Sequence, residues 1–253
     1  MMGNYQDLES KTFLVTGASS GIGRAIAIAL SRQKAKVYIT GRSSERLDET
    51  LRSFEGEGVV IPADLTVAEE REHLVDSLPA LDGVCHCAGI INPFPIRYVD
   101  QAQLDKIFDI NGAAPMLLTS RLLGKKKIRD DGALVFISSV ASERGMKGGS
   151  LYSASKAALE AFSRSITLEH SAKRIRSNCL KPALVRTPLY EQAKDHATAA
   201  GSLENYEAYE TRYPLGIGTP EDVASAALFL LSSASRWITG TSLVLDGGLT
   251  ASI

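Results

Sequence analysis

Short apolar runs alternate with stretches of helical periodicity along the whole 253-residue chain. Seven of the runs predict strands: Thr12–Val15, Lys36–Thr40, Val59–Ile61, Gly83–His86, Ala133–Ile137, Ser177–Leu180 and Ser242–Leu245. Helical spacing recurs between them at Ile22–Gln33, Glu45–Phe54, Val67–Ser77, Gln101–Ile128, Tyr152–Ala172 and Pro220–Ser232. Strands that alternate with helices need crossover connections, which produce a parallel sheet covered on both faces. The pattern therefore predicts an α/β fold, with one doubly wound domain over residues 1–253 and a seven-stranded parallel sheet.

One long stretch, from Leu184 to Gly218, contains no clear strand. It is polar and rich in alanine, with tyrosines at positions 190, 206, 209 and 213. A long connection inside a compact domain is either disordered or functional. Because this one leaves the end of a strand, we predict a substrate lid at about 184–218.

The charge balance gives no sign of a polyanionic partner. The chain has 28 basic and 29 acidic side chains, which excludes the strongly basic surface of a nucleic-acid or anionic-membrane binder. The largest basic run, Lys125–Arg129, is interpreted as the solvated end of a helix before a turn at Asp130–Gly132. No apolar run reaches membrane-spanning length, and no signal-peptide pattern opens the chain.

The three cysteines lie in apolar runs that predict strands. Cys85 and Cys87 share a strand face and suit neither a disulfide nor a metal site, because no second pair of ligands accompanies them. Buried reduced thiols, here including Cys179, are typical of a reducing compartment. We therefore predict a cytoplasmic protein without a metal.

A glycine-rich turn joins the first strand to the first helix. The motif is Gly17-Ala18-Ser19-Ser20-Gly21-Ile22-Gly23. Its glycines allow a sharp turn and a close approach of the backbone to a ligand, and the start of a helix presents free N–H groups to an anion. The position of the turn, after the first strand of a Rossmann-type pattern, predicts a dinucleotide phosphate site built from Gly17, Ser19, Ser20, Gly21, Ile22 and Gly23.

The end of the second strand indicates which dinucleotide is bound. NAD sites usually place a carboxylate about 20 residues after the glycine turn, where it accepts a ribose hydroxyl. Gly41 and Arg42 occupy that region here. A guanidinium pairs with a 2′-phosphate, and no carboxylate repels it. The sequence therefore favours NADP(H), with NAD(H) as the alternative.

Tyr152 and Lys156 lie four residues apart in a predicted helix and project from one face of it. A phenol with a reference pKa of about 10 is a poor base at neutral pH, and a nearby ammonium favours its ionised form. Ser139 follows a predicted strand and could hold a reacting oxygen. A Tyr-x-x-x-Lys pair alone is common on helix surfaces, so the order of these motifs carries the argument.

In that order the sequence resembles the short-chain dehydrogenase/reductase family, over essentially its whole length. The motif set is similar to that of 3-oxoacyl-(acyl carrier protein) reductases and related small-ketone reductases. The matching pieces are Thr16–Gly23, Asp64-Leu65, Ala88-Gly89, Asn111, Ile137–Ser139, Tyr152–Lys156 and Leu245–Gly248. Ser139 lies 13 residues before Tyr152, as the family pattern implies.

The resemblance implies a catalytic role for four residues. Tyr152 is implied as the general acid/base, and Ser139 as the group that orients the substrate. Lys156 is implied to bind the nicotinamide ribose and to lower the pKa of the tyrosine. Asn111 is implied to hold a water of a proton relay. The expected activity is hydride transfer between nicotinamide and a carbonyl or secondary alcohol.

It also implies contacts with the cofactor. Asp64 and Leu65 would meet the adenine, Ala88 and Gly89 the adjoining ribose, and Thr187 the carboxamide. Two further functions stay open at this stage: an NAD(H)-dependent alcohol dehydrogenase, and a regulator that senses the dinucleotide without chemistry.

Two departures from the family pattern stand out. Family members commonly carry Asn-Asn-Ala-Gly after the fourth strand, whereas this chain has His86-Cys87-Ala88-Gly89. We interpret His86 as a core residue rather than a catalyst. Ala183 replaces a usual glycine after Pro182, which is harmless only where φ is negative.

A homo-oligomer, dimer or tetramer, is expected from the resemblance. The helices predicted at Gln101–Ile128 and Tyr152–Ala172 also carry more apolar positions than one sheet face should cover. These positions are Leu117, Leu118, Leu122, Leu159, Phe162 and Ile166.

Overall fold

Seven parallel strands form one sheet in the order β3-β2-β1-β4-β5-β6-β7. The computed structural model describes residues 5–191, 194, 208 and 210–251. The strands are β1 Thr12–Thr16, β2 Lys36–Thr40, β3 Gly58–Val60, β4 Leu81–His86, β5 Ile128–Ile137, β6 Arg176–Pro182 and β7 Ser242–Leu245. This confirms the predicted α/β fold. The strand order reverses between β1 and β4, and ligands of such sheets bind outside the carboxyl ends at that point.

Helices cover both faces of the sheet. They are α1 Gly21–Arg32, α2 Ser44–Arg52, α3 Ala68–Ser77, α4 Gln101–Phe108, α5 Ala114–Gly124, α6 Ser150–Glu169 and α7 Pro220–Leu231. One apolar core lies under α1, α2 and α7, and a second lies under α3, α5 and α6. The five inner strands are mostly buried on both sides, which explains their continuous apolar runs. Among the described residues, no helix combines the length and apolar character needed to cross a bilayer.

The single helix predicted over Gln101–Ile128 is wrong, because the chain forms two helices there. They are separated by a π-helical turn at Asp109–Ala113. Pro115 has no N–H to donate to the carbonyl of residue 111, so a regular helix cannot continue through this point. The extra residue of the turn places Asn111 in the interior, where it is fully buried.

The prediction that the basic run Lys125–Arg129 is the end of a helix before a turn is wrong. Helix α5 ends at Gly124, and β5 already begins at Ile128, which pairs with Leu81 of β4. Ile128 is buried beside β4. Because this burial is favourable, the last residues of the run form part of the sheet. Lys125 instead pairs with Glu72 of α3 at 3.0 Å.

The sequence predicted an oligomer partly from six apolar residues of the helices, but most of these residues are buried within the chain. Leu118, Leu122, Leu159 and Ile166 belong to the second core. Phe162 packs partly against that core, and only Leu117, with 47% exposure, stays largely open. The helical pattern therefore gives less support to an oligomer than expected.

His86 is buried in the second core, as interpreted from the sequence, and stacks on Phe136 with ring centroids 4.7 Å apart. Its Nε2 lies 2.9 Å from the Thr119 hydroxyl, which donates its own proton to the Pro115 carbonyl. Nε2 therefore carries the hydrogen, and Nδ1 has no partner within the described residues. Burial lowers the pKa of His86 to about 3, because a proton on Nδ1 would meet no acceptor.

We expect acid to destabilise the fold through His86. The unfolded chain binds a proton near pH 6.5 and the folded chain only near pH 3, so stability falls as the pH drops below about 6.5. At pH 5 the loss attributable to this residue is about 2 kcal/mol. The free energy of unfolding should be measured in urea at pH 7 and pH 5. Between these pH values we expect it to fall by about 2 kcal/mol less in His86→Asn than in wild type. The control His73→Asn, at an exposed position, should follow wild type, and equal losses in all three proteins would contradict the assignment.

Candidate active site

The glycine turn packs directly on the segment that follows β4. Gly17 has φ +64°, and a Cβ atom built on it would lie 2.7 Å from the Ala88 nitrogen. A Cβ on Gly23 would lie 2.4 Å from the Gly17 carbonyl oxygen. Both positions therefore require glycine, one for its backbone conformation and both for space. Ser20, the residue before α1, makes no capping hydrogen bond through its side chain, so it does not occupy the N–H groups of the first helical turn.

A pocket with a cavity volume of about 330 Å³ opens beside this turn. It lies at the carboxyl ends of β1, β2 and β4, where the strand order reverses. Every residue predicted to contact the dinucleotide, apart from Tyr152 and Lys156, contributes to its walls. These residues are Gly17, Ser19, Ser20, Gly21, Ile22, Gly23, Arg42, Asp64, Leu65, Ala88, Gly89 and Thr187. Thr187 lies over the turn, since a Cβ on Gly21 would be 3.3 Å from its methyl carbon.

The pocket also contains residues that sequence reasoning missed, and Arg46 is the most informative of them. It lies in the first turn of α2, four residues after Arg42, and both side chains are exposed. A second arginine at helical spacing from the first was a signal that could have found it. Arg24, by contrast, is engaged within the protein, donating to the Ser19 carbonyl at 2.8 Å and to Glu49 at 3.1 Å.

Asp64 lines the same pocket as Arg42. Its carboxylate accepts hydrogen bonds from the Thr66 hydroxyl at 2.7 Å and from the Thr66 N–H at 3.0 Å. The hydroxyl bond lowers the pKa of Asp64 most, and the charge of Arg42 contributes in the same direction. Asp64 is thus held ionised in a turn that borders the pocket.

The departures from the family pattern leave the backbone of the site in place. Cys87 and Ala88 donate their N–H groups to the Thr16 hydroxyl at 3.1 and 3.3 Å, so β1 fixes this segment without the side-chain amides. Ala183 is not among the residues with positive φ, so alanine is unstrained there. Within the residues that the structure describes, no cluster of three or more His, Cys, Asp or Glu side chains could hold a metal ion.

Lys156 and Asn111 meet the pocket at Gly89. A Cβ atom on Gly89 would lie 3.2 Å from both Lys156 Nζ and Asn111 Oδ1. Lys156 is 5% exposed, and its ammonium donates to the Ile137 carbonyl at 2.8 Å. Burial lowers the pKa of Lys156 to about 8, against a smaller opposing effect of Cys87 and Cys179.

Asn111 fixes the chain segment next to Gly89. Its Oδ1 accepts from the Ile90 N–H and its Nδ2 donates to the Ile90 carbonyl, both at 2.8 Å. Nδ2 also lies 3.2 Å from the Ser155 hydroxyl of α6. The π-helical turn that carries Asn111 therefore ties the pocket wall to the helix of Tyr152 and Lys156.

Tyr152 lies in the first turn of α6, with Lys156 Nζ 5.7 Å from its ring centroid. Burial raises the pKa of Tyr152, and the Ser139 hydroxyl opposes the increase only in part. The lowered pKa that the resemblance implied is therefore not found in the protein alone. Desolvation disfavours the phenolate, and the ammonium of Lys156 is directed to a backbone carbonyl instead.

Ser139 lies just beyond the end of β5 and is 8% exposed. Its hydroxyl oxygen accepts from the Ala141 N–H at 3.2 Å. The hydroxyl also interacts with Tyr152, where it partly offsets the increase in pKa that burial causes. The structure thus brings together all four residues predicted to be catalytic: Ser139 and Tyr152 interact, and Lys156 and Asn111 lie at Gly89.

The predicted lid region is described only at its two ends. Val185 forms a parallel bridge with Gly218, and both Tyr190 and Tyr213 are buried. The Tyr190 hydroxyl donates to Glu210, which links the two ends. Tyr206 and Tyr209 lie outside the described residues, as does most of the segment between them and Tyr190.

The chain is similar to known proteins over nearly its full length. A family model described as enoyl-(acyl carrier protein) reductase matches residues 17–250. A tropinone reductase homolog of Arabidopsis thaliana is 33% identical, covering 96% of this chain and 93% of the relative. A 3-oxoacyl-(acyl carrier protein) reductase of Rickettsia prowazekii (strain Madrid E) is 34% identical, covering 96% and 98%.

A solved structure shares both fold and sequence. It is a Beutenbergia cavernae protein, provisionally assigned as an NAD(P)-dependent gluconate 5-dehydrogenase, with NADP bound at low occupancy. It superposes with a TM-score of 0.85 at 30% identity, covering 98% of this chain and 100% of that one. Dehydrogenase/reductase SDR family member 4 of Homo sapiens is 32% identical, covering 95% of this chain and 88% of the relative. The chain therefore belongs to the short-chain dehydrogenase/reductase (SDR) family, whose members are oxidoreductases that use a nicotinamide cofactor.

Proposed function

We propose that this protein is an NADP(H)-dependent oxidoreductase that transfers a hydride between the nicotinamide and a carbonyl or secondary alcohol. The observation that carries the proposal is the position of Gly89. It forms part of the dinucleotide pocket and is also the point at which Lys156 and Asn111 reach that pocket. A proton-handling group and a cofactor site therefore share one wall.

The residues present suit a dinucleotide phosphate. Gly17 and Gly23 leave no room for a Cβ, and the start of α1 offers N–H groups for the pyrophosphate. Arg42 and Arg46 would hold the 2′-phosphate, Asp64 and Leu65 the adenine, and Ala88 and Gly89 its ribose. Lys156 would bind the nicotinamide ribose, and Thr187 the carboxamide. The reduced nicotinamide supplies a hydride when it is bound.

The proton would come from Tyr152. Its raised pKa keeps the phenol protonated at neutral pH, which suits a proton donor to the oxygen of a carbonyl undergoing reduction. Ser139 would hold the same oxygen, because its hydroxyl already interacts with Tyr152. Lys156 would stabilise the phenolate left after transfer, and Asn111 would hold a water that returns the proton.

The relatives support this assignment. The tropinone reductase homolog and the 3-oxoacyl-(acyl carrier protein) reductase both carry the names of carbonyl reductases. NADP is present in the structure of the Beutenbergia protein. We infer by this similarity that the substrate is a small-molecule carbonyl or alcohol and that NAD(H) is the poorer cofactor. The substrate lid at about 184–218 stays a prediction from the sequence, because much of that segment lies outside the described residues.

We expect Tyr152→Phe to lower turnover by at least 100-fold, because general acid catalysis contributes about 10²- to 10⁴-fold. NADPH oxidation should be measured on a panel of ketones, aldehydes and acyl thioesters. The affinity for NADPH should change by less than about threefold, since phenylalanine removes only the hydroxyl. Full turnover by the variant would overturn the role of Tyr152. Tight NADPH binding without turnover by wild type on any substrate would indicate a dinucleotide-sensing regulator instead.

We expect Arg42→Ala and Arg46→Ala each to reduce the preference for NADPH over NADH by about 10- to 100-fold, since a hydrogen bond to a charged group contributes about 1.5–3 kcal/mol. The ratio of kcat/KM with the two cofactors measures this preference. Arg52→Ala is the matched control, because Arg52 is exposed on the same helix but outside the pocket. A wild-type preference for NADH would contradict the assignment of both arginines.

We propose a cytoplasmic location and no nucleic-acid or membrane partner. The thiols of Cys85, Cys87 and Cys179 are all free, which is typical of a reducing compartment. The near-even balance of 28 basic and 29 acidic side chains supports the same assignment.

We also propose a homo-oligomer, either a dimer or a tetramer. Leu117 of α5 is 47% exposed. Leu243 and Val244 of the edge strand β7 are also exposed, and Trp237 is 96% exposed. Contiguous exposed apolar patches mark association surfaces, and these side chains are the candidates for one. Size-exclusion chromatography with light scattering should give two or four times the chain mass of 27.1 kDa, and a monomer would contradict the proposal.

A further inference from the structure

A lysine is buried behind the candidate active site. Lys181 lies in β6 and is 1% exposed. Its ammonium lies within ion-pair distance of Glu143 and 3.8 Å from Glu160 Oε2, but it makes no hydrogen bond within the described residues. Removing an ammonium from water costs several kcal/mol unless it is paired with good geometry. A charged side chain in this position therefore depends on both carboxylates.

Glu160 joins this lysine to the catalytic helix. It is 6% exposed and lies on α6, one helical turn after Lys156 and two after Tyr152. Its carboxylate accepts a hydrogen bond from the Ser138 hydroxyl at 2.6 Å and one from the Ser242 hydroxyl at 3.1 Å. One side chain of α6 is thus bonded to residues at the ends of β5 and β7.

Glu143 connects Lys181 to the chain segment that follows Ser139. Its own side chain is 68% exposed, although the ammonium that it contacts is buried. The turn that joins Ser139 to Glu143 is short. The Ser142 N–H donates to the Ser139 carbonyl at 3.0 Å, and the Glu143 N–H donates to the Val140 carbonyl at 3.2 Å. The position of Glu143 therefore constrains Ser139 through only a few backbone bonds.

We propose that Lys181 is a positioning residue for Ser139, acting with Glu160 and Glu143. It holds the chain immediately before Ser139 through Glu160 and Ser138, and the chain after Ser139 through Glu143. Lys181 does not line the dinucleotide pocket, so its effect on the substrate oxygen is indirect and is exerted through Ser139. The inference rests on the proposed function, because it assigns Ser139 to that oxygen.

The test compares Lys181→Met with Lys36→Met. Lys36 is a strand lysine in a surface ion pair with Glu57 at 3.3 Å, remote from the site, and it receives the same substitution. We expect Lys181→Met to lower kcat for carbonyl reduction by about 10- to 100-fold, because a small misplacement of a catalytic group costs up to about 10²-fold. The dissociation constant for NADPH should stay within about twofold. Lys36→Met should match wild type in both measurements.

Glu160 provides the conservative comparison. Glu160→Gln keeps an oxygen that can accept from Ser138, whereas Glu160→Leu removes it. We expect Glu160→Gln to retain more kcat than Glu160→Leu by about fivefold or more, with equal NADPH affinity. Equal losses in the two variants would show that the hydrogen bond to Ser138 does not position Ser139.

A purely structural role gives different results. If Lys181→Met is too unstable to assay, Lys181→Met with Glu160→Gln removes both buried charges and is the variant to measure. A folded Lys181→Met or double variant with kcat within twofold of wild type overturns the inference.

Hydrogen exchange separates this inference from the proposed function, because it needs no substrate. We expect Lys181→Met to speed exchange of the Ser142 and Glu143 amides relative to Lys36→Met. If exchange rises but wild type reduces no carbonyl, the proposed function fails while the constraint on the Ser139 segment stands. If wild type is active and neither exchange nor kcat changes, the inference alone fails.

Discussion

The close contact between the glycine turn and the segment after β4 determines how the rest of the site is arranged. At Gly17 the two backbones approach so closely that a methyl group would overlap the Ala88 nitrogen. The contact joins two strands that are neighbours in the sheet but lie about 70 residues apart in the chain. With these strand ends fixed, the start of α1 faces one side of the pocket and Gly89 with its two polar neighbours forms another. The proposed cofactor site and the groups proposed to handle the proton therefore share one corner of the fold.

Buried polar groups around that corner are nearly all committed to the backbone. Lys156 donates to Ile137, Asn111 bonds both polar groups of Ile90, and Thr16 accepts from two successive amides. Each bond satisfies a group that burial would otherwise leave unpaired. Burial of the tyrosine raises its pKa, so its phenol stays protonated at neutral pH.

The sequence predicted the sheet well because its inner strands are mostly buried on both faces, which produces continuous apolar runs such as that of β5. It predicted the pocket because those residues follow strand ends in a recognisable order. It missed the break at Asp109–Ala113, since apolar spacing continues through a π-helical turn. It missed Lys181 because a lysine that follows an apolar run is normally interpreted as the exposed end of a strand. The two carboxylates beside its ammonium are distant in the sequence and are brought there only by the tertiary fold. The direction of the tyrosine's pKa shift depends on burial in the same way, so no motif could give it.

Helix α6 carries Tyr152, Lys156 and Glu160 at intervals of four residues along one stripe. Each residue of an α-helix turns the chain by about 100°, so an inserted or deleted residue between these positions would rotate one part of the stripe away from the other. Point substitutions on the solvent side of α6 leave the stripe intact. The helix geometry therefore constrains the number of residues between Tyr152 and Glu160 more strictly than the composition of the exposed face of α6.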